Sequence, residues 1–394
     1  MNRPTLEVAD IFRARGDSFI DRNETRISYQ QLKVMRAITR CRTAALGGHV
    51  DRCTRCGHQA ISFNSCRNRH CTKCQAQARQ RWLAKREREL LDTSYFHVVF
   101  TLPHELSTLA LQNQRVLYDL LFRTSAATLL EVAADPRHLG AEIGFFGVLH
   151  TWGQNLLHHP HVHYVIPAGG PAPDHTQWVR PRYPFFLPVK VLNRVFRGKF
   201  VAGLRRAFHR HQLHFGGSLK HLADPKRFAA FLRSLFRTDW VVYAKPAFGG
   251  PTQVLRYLGR YTHRVAISNH RLLAFDGRNV TFRWRDYAHG NRKRKMTVSA
   301  DEFIRRFLMH VLPRGFVRIR SFGFLANGHR AALLPLCREL LHMQPQPEAS
   351  TSLKSTDRAT WSCPLCHGTM LAIERLNPKQ LQQSAWRCDY IDSS

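Results

Sequence analysis

The run His159-Pro160-His161-Val162-His163-Tyr164-Val165-Ile166 reads as a strand, which turns His161 and His163 to one face and Val162 to the other. Two imidazoles on one face are what a shared divalent cation requires. His150 closes the preceding apolar run at residues 143–150, and antiparallel pairing of the two runs carries its ring to the same place as a third donor. Gln154 and Asn155, in the intervening loop, are its rivals. Three neutral donors suit Mg²⁺ or Mn²⁺ only when substrate oxygens and water fill the remaining positions. With 23 histidines in the chain, the pair carries weight only in company.

The company is Leu255-Arg256-Tyr257-Leu258-Gly259-Arg260-Tyr261-Thr262-His263-Arg264. On a helix Tyr257 and Tyr261 share a face, with Arg256, Arg260 and Arg264 on the neighbouring stripe. A phenol with a pKa of about 10 is a poor nucleophile until nearby cations stabilise its anion, and these arginines are suitable cations and candidate DNA contacts. Two tyrosines packed on a sheet are the plain alternative.

Cysteines form the third group. Cys53-Thr-Arg-Cys56 and Cys71-Thr-Lys-Cys74 each present two thiolates from one tight turn, and together they supply the four ligands of a closed tetrahedral zinc site. Gly57 suits the first turn, and few apolar residues surround the knuckles, so metal would hold the segment together. Cys66 and His70, and before them Cys41 and His49, are the additional or replacement ligands. Free buried thiols or a redox pair are the other reading. Arg52, Arg55, Arg67, Arg69 and Lys73 aim this finger at DNA, with Arg67 and Arg69 as its contacts. Near the end, Cys363-Pro-Leu-Cys366-His367 is a single knuckle without an obvious partner pair, which Cys388 or His367 would have to complete.

These groups need elements to hold them. Residues 6–42 have helical periodicity, residues 75–91 read as one basic helix, and residues 95–102 as a strand stopped by Pro103. A long helix is expected over 105–134, others over 189–213 and 225–236, and strands over 143–150, 161–166 and 240–244. Residues 272–275, 280–284 and 295–298 look like a meander, with Asp276-Gly277 in its first turn. The middle of the chain is therefore α+β with a largely antiparallel sheet flanked by helices. Residues 344–360 are rich in Gln, Pro, Ser and Thr, as a linker is. The divisions expected are a helical and zinc-binding DNA-recognition domain at 1–92, a catalytic domain at 93–342, and a linker with a small cysteine-containing segment at 343–394.

Sixty Lys and Arg against 27 Asp and Glu leave a net charge of +33. Such a surface calls for a polyanion, and nucleic acid gains salt-dependent affinity from each phosphate neutralised. Hydrophobic residues make up 44% of the chain, enough for real cores, which excludes a disordered basic tail. The first residues lack the apolar stretch of a signal peptide, and no run is long enough to span a bilayer. A cytoplasmic protein is expected, whose 10 cysteines bind metal or stay reduced.

Residues 53–74 with Ser65-Cys66-Arg67-Asn68-Arg69-His70-Cys71, the Val148-Leu149-His150-Thr151-Trp152-Gly153 and His159 to His163 stretches, and the Tyr257 to Tyr261 segment occur together and in order. The combination resembles the HUH two-tyrosine rolling-circle transposases of the insertion-sequence-ninety-one type. The spacing of His150 before His161 and His163 is also similar to the three-histidine site of conjugative relaxases. The resemblance implies an HUH-endonuclease-like sheet with an N-terminal zinc-binding domain, structural Zn²⁺ and catalytic Mg²⁺ or Mn²⁺. It further implies single-stranded DNA and element ends as substrate, and cutting and rejoining through a 5′-phosphotyrosine on Tyr257 or Tyr261. A plasmid replication initiator or relaxase of the same chemistry is the alternative enzyme. A non-catalytic zinc-dependent DNA-binding repressor is the alternative of another class.

Overall fold

The computed structural model describes residues 4–183, 185–246, 253, 259, 266–286, 289–344 and 361–383. Its strands in chain order are β1 (Gly48–Cys53), β2 (Gln59–Phe63), β3 (Tyr95–Thr101), β4 (Gly144–Trp152), β5 (His158–Pro167), the short β6 (Gly170–Pro171) and β7 (Trp178–Val179), β8 (Val241–Pro246), β9 (Leu272–Phe275), β10 (Asn279–Asp286), β11 (Arg292–Ser299), β12 (Ile319–Gly323), β13 (Trp361–Ser362) and β14 (Thr369–Leu376). The first helices are α1 (Val8–Arg22), α2 (Tyr29–Arg40), α3 (Cys74–Glu87), α4 (Ser107–Gln112), α5 (Gln114–Ala134), α6 (Val189–His209) and α7 (Pro225–Ser234).

The central sheet has the order β12-β4-β5-β3-β8, and every pairing in it is antiparallel. The class is α+β, as the pattern of isolated strands and long helices implies. Strand β5 alternates: Pro160, Val162 and Tyr164 are buried, while His161 and His163 are half-buried on the other side. On the first face Phe96, Val98, Phe100, Phe145, Leu149, Val162 and Tyr164 meet α4 to α7 in the main core. At the second face Tyr95, Phe146 and Val165 pack on Phe324, Leu325 and Leu334, with Trp82 of α3 against them. The sheet thus has a sealed side and a side that is only partly covered, where the histidines stand.

The helical periodicity over 6–42 forms as two helices, α1 and α2. Asn23 caps Ile20 and ends α1, and Ser28 begins α2 with a capping box in which its side chain accepts from Gln31 N while Gln31 Oε1 accepts from Ser28 N. Local capping wins because each box satisfies two backbone donors that a fresh helix start would leave open. The two helices share a core with β9, β10 and the helix Ala300–Leu308, Phe12 meeting Phe307 edge to face at 5.2 Å. The expected helix over 105–134 is likewise divided at Asn113, whose side chain ties Leu109 O to the His214 backbone. Among the described residues no helix is long and apolar enough to cross a membrane.

One glycine sets the spacing inside the sheet. A Cβ on Gly147 of β4 would stand 2.4 Å from Cε1 of Tyr164, its cross-strand partner. Tyr164 is fully buried and its hydroxyl shares a 2.7 Å hydrogen bond with Ser125 Oγ of α5. Gly147→Val should therefore displace the ring, break that bond and destabilise the protein by about 1–3 kcal/mol, read as a lowered denaturant midpoint at unchanged slope. An unchanged midpoint would show that the sheet can yield there at no cost.

Candidate functional site

Sheet register builds the histidine site. His150 and His161 are direct cross-strand partners, and His163 opposes Val148 two pairs further along. Same-face neighbours on paired strands stand within side-chain reach. The ring centroids are 4.4 Å apart for His150 and His163, 4.8 Å for His161 and His163, and 5.4 Å for His150 and His161. One nitrogen from each ring lies within 4.8 Å of the others. A divalent cation about 2.1 Å from each nitrogen needs separations of roughly 3 Å, so the rings would draw together around it. Of the loop rivals, Asn155 Oδ1 accepts the Leu157 N–H, and Gln154 lends its backbone carbonyl to Arg271.

Hydrogen bonds aim the rings of His161 and His163. His161 Nδ1 donates to His159 O at 2.7 Å, which fixes the tautomer and leaves Nε2 as the lone pair. His163 Nδ1 shares a 2.8 Å hydrogen bond with Nε2 of His97, on β3, and the two rings lie nearly parallel. Burial pushes His161 down to about 3 and His163 well below the usual imidazole value. Burial, and then Lys245, lowers His97 to about 4. Desolvation penalises the imidazolium, so these rings are neutral donors at neutral pH. A set of neutral imidazoles with open positions fits a divalent cation that also binds phosphate oxygens.

His97 is a residue beside this site that reading the sequence missed. Its signal was present, since a polar residue inside the apolar run Tyr95–Thr101 must find a partner when buried. Which partner it would find depended on the strand order.

The tyrosine segment lies outside the described residues, and with it Tyr257, Tyr261, Arg256, Arg260 and Arg264. Gly259, between the two tyrosines in sequence, is described, helical and buried. A Cβ there would come 2.7 Å from Cδ1 of Leu83 on α3. The adjacent Trp82 packs edge to face on Phe146 at 5.6 Å, and Phe146 is on the same face of β4 as His150. Gly259 thus leans on the helix that partly covers the histidine side of the sheet.

The cysteines assemble otherwise than the double knuckle implied. Cys53 and Cys56 do not join Cys71 and Cys74. One cluster is Cys41, Cys66, Cys71 and Cys74; the other is Cys53, Cys56, Cys363 and Cys366. The reason is local. Cys41 is at the C-terminal end of α2 and Cys74 opens α3, so the helix ends bring them together, Sγ to Sγ at 3.5 Å, with Cys66 3.6 Å from Cys74. A helix N-terminus also favours thiolate. Tetrahedral zinc at about 2.3 Å from each sulfur places sulfurs roughly 3.8 Å apart, close to what is seen. Hydrogen bonding among these sulfurs lowers Cys41 and Cys74 and raises Cys66 and Cys71.

His70 is not a ligand: its Nε2 accepts from Leu312 N at 3.1 Å and its Nδ1 faces Asn68 Oδ1 at 3.2 Å. His49 sits on β1, 3.4 Å from Asp51. Arg69 donates to the carbonyls of Pro313 and Phe316, so its guanidinium fastens this loop to the segment that precedes β12. Arg67 is exposed. Cys388 lies outside the described residues.

A family model described as a transposase zinc-binding domain matches residues 11–102, and one described as a putative transposase matches residues 144–332. A putative transposase, y4qJ, of Sinorhizobium fredii is 55% identical over 384 residues, covering 95% of this chain and 96% of that protein. The transposase for insertion sequence element IS801 of Pseudomonas savastanoi pv. phaseolicola is 28% identical over 365 residues, covering 88% and 84%. No solved structure matches. Cysteine clusters in a matched zinc-binding domain, a half-covered histidine face in the matched transposase region and a 55% identical transposase over nearly the whole length give one answer: the chain belongs to the transposases of the insertion-sequence-ninety-one type.

Proposed function

We propose that this transposase nicks and rejoins single-stranded DNA through a 5′-phosphotyrosine, driving rolling-circle movement of an insertion sequence. The observation that carries the reading is the convergence of His150, His161 and His163 on one half-covered face of the sheet. Those three residues would hold Mg²⁺ or Mn²⁺, which when bound polarises the scissile phosphate and orients it. The chain's own groups do the rest. His97 and the His159 carbonyl orient His163 and His161. Tyr257 or Tyr261 supplies the nucleophile, its phenolate favoured by Arg256, Arg260 and Arg264. Its oxygen bonds to phosphorus as the bond from phosphorus to the 3′ oxygen breaks, and that oxygen leaves with a proton as a free hydroxyl. The phosphodiester energy stays in the phosphotyrosine, so a second 3′ hydroxyl can reverse the step without ATP. Cys41, Cys66, Cys71 and Cys74 would hold structural zinc in the DNA-recognition part, and the +33 net charge binds the strand by counterion release.

The test is incubation with a single-stranded oligonucleotide from the element end and Mn²⁺. A covalent protein–DNA adduct that survives SDS is expected, and none with a chelator in place of the metal. Binding without any adduct, on substrates spanning both element ends, would instead favour a DNA-binding protein with no strand chemistry.

A further inference from the structure

The C-terminal knuckle completes a site rather than standing alone. Strand β14 pairs antiparallel with β1 from Gly48 and Leu376 to Cys53 and Met370, giving the four-stranded order β13-β14-β1-β2. That pairing lays Cys363 and Cys366 against Cys53 and Cys56. Sγ atoms are 3.4 Å apart for Cys53 and Cys366 and 3.6 Å for Cys56 and Cys363, and all four fall within 4.8 Å of one another. The expected sulfur separation around tetrahedral zinc is roughly 3.8 Å.

The two knuckles are built alike. Cys53 N donates to His58 O and Gly57 N to Cys53 O; Cys363 N donates to Gly368 O and His367 N to Cys363 O. Each bond spans the same number of residues in both turns. Gly57 and His367, at equivalent positions, both have left-handed backbone, with φ of 74° and 58°, a conformation a non-glycine residue adopts at a cost. A Cβ on Gly368 would stand 3.0 Å from Cys53 Sγ and 2.8 Å from Arg55 Cβ, so the backbone has been brought as near to the sulfurs as a missing side chain allows. Around them the apolar support is small: Ala60, Met370 and the flank of Trp361. Trp361 Nε1 also reaches the buried Asp51 carboxylate at 3.0 Å. The far end of β14 has its own apolar anchor, Leu376 on Val50 and Ile61, but so little apolar surface at the knuckle end does not hold the two turns together by itself.

We propose that Cys53, Cys56, Cys363 and Cys366 bind a second structural zinc ion that clasps the C-terminal hairpin onto the N-terminal module. The zinc-binding match ends at residue 102 and the transposase match at 332, so half of this ligand set lies beyond both. The clasp also closes the open edge of β1, and the N-terminal module is then complete only when the segment that carries Cys363 and Cys366 has been made.

Zinc is counted per chain in wild type, in Cys363→Ser/Cys366→Ser and in Cys66→Ser/Cys74→Ser. Each double variant is expected to lose about one equivalent, since tetrathiolate affinity collapses when half the ligands go, and combining them to lose about two. Because the histidines are intact in all of them, the differences do not depend on what that site binds. Alkylation of the wild-type protein avoids any folding defect of the variants. In zinc-loaded protein Cys363 and Cys366 should resist iodoacetamide, although Cys366 is only half-buried and Cys56, in the same cluster, is exposed. With chelator, Cys53, Cys56, Cys363 and Cys366 should become reactive together. Full zinc content in Cys363→Ser/Cys366→Ser, or rapid alkylation of Cys363 and Cys366 in zinc-loaded wild type, overturns the site.

Discussion

His161→Ala and His163→Ala will each lose DNA nicking while keeping most of the affinity for DNA. Either change removes a donor from the three-imidazole face, and a Lewis-acid cation contributes several kcal/mol to phosphate cleavage. At about 1.4 kcal/mol per tenfold, nicking should fall by about a thousandfold or more. Affinity comes from the basic surface and is set by salt, so it should change little at fixed ionic strength. The fold should survive, because these side chains point away from the main core into a half-covered space. Cleavage of a labelled oligonucleotide, run beside a binding titration, gives both numbers. Nicking at the wild-type rate by either variant would place the metal elsewhere.

The tyrosines are expected to separate one strand transfer from two. Tyr257→Phe and Tyr261→Phe remove a hydroxyl and keep ring volume, so a lost adduct reports chemistry rather than packing. Each single variant should block transposition, because a second phenol is needed to cut or receive a strand while the first is occupied. At least one of them should still form a single adduct on a short single-stranded substrate. The double variant should form none. An adduct in the double variant, mapped by peptide sequencing to another residue, would remove both tyrosines from the reaction. The buried approach of Gly259 to Leu83 adds a structural control: Leu83→Ala removes that contact and no hydroxyl, so it should leave adduct formation far less affected than the double substitution.

Sequence by itself determined the features that local rules govern. Period-two alternation in His158–Pro167 set His161 and His163 on one face, since strand geometry admits no other arrangement. The meander at β9, β10 and β11 formed where β-rich runs and a turn signal put it. Family membership was legible from motifs kept in order along the chain. Tertiary structure alone decided which distant groups meet. His97 became the partner of His163 because β3 lies beside β5 in the sheet, and strand order is not encoded in either strand. His70 was lost as a ligand because Leu312, far along the chain, offered its N–H. The cysteines show the division most clearly: each knuckle was plain from its spacing, but its partner was not. Thiolate pairs are chemically alike, so the end of α2 against the start of α3 chose Cys41 for one knuckle, with Cys66 added from the loop before it. The pairing of β14 with β1 chose Cys363 and Cys366 for the other, bringing together residues that no local spacing rule connects.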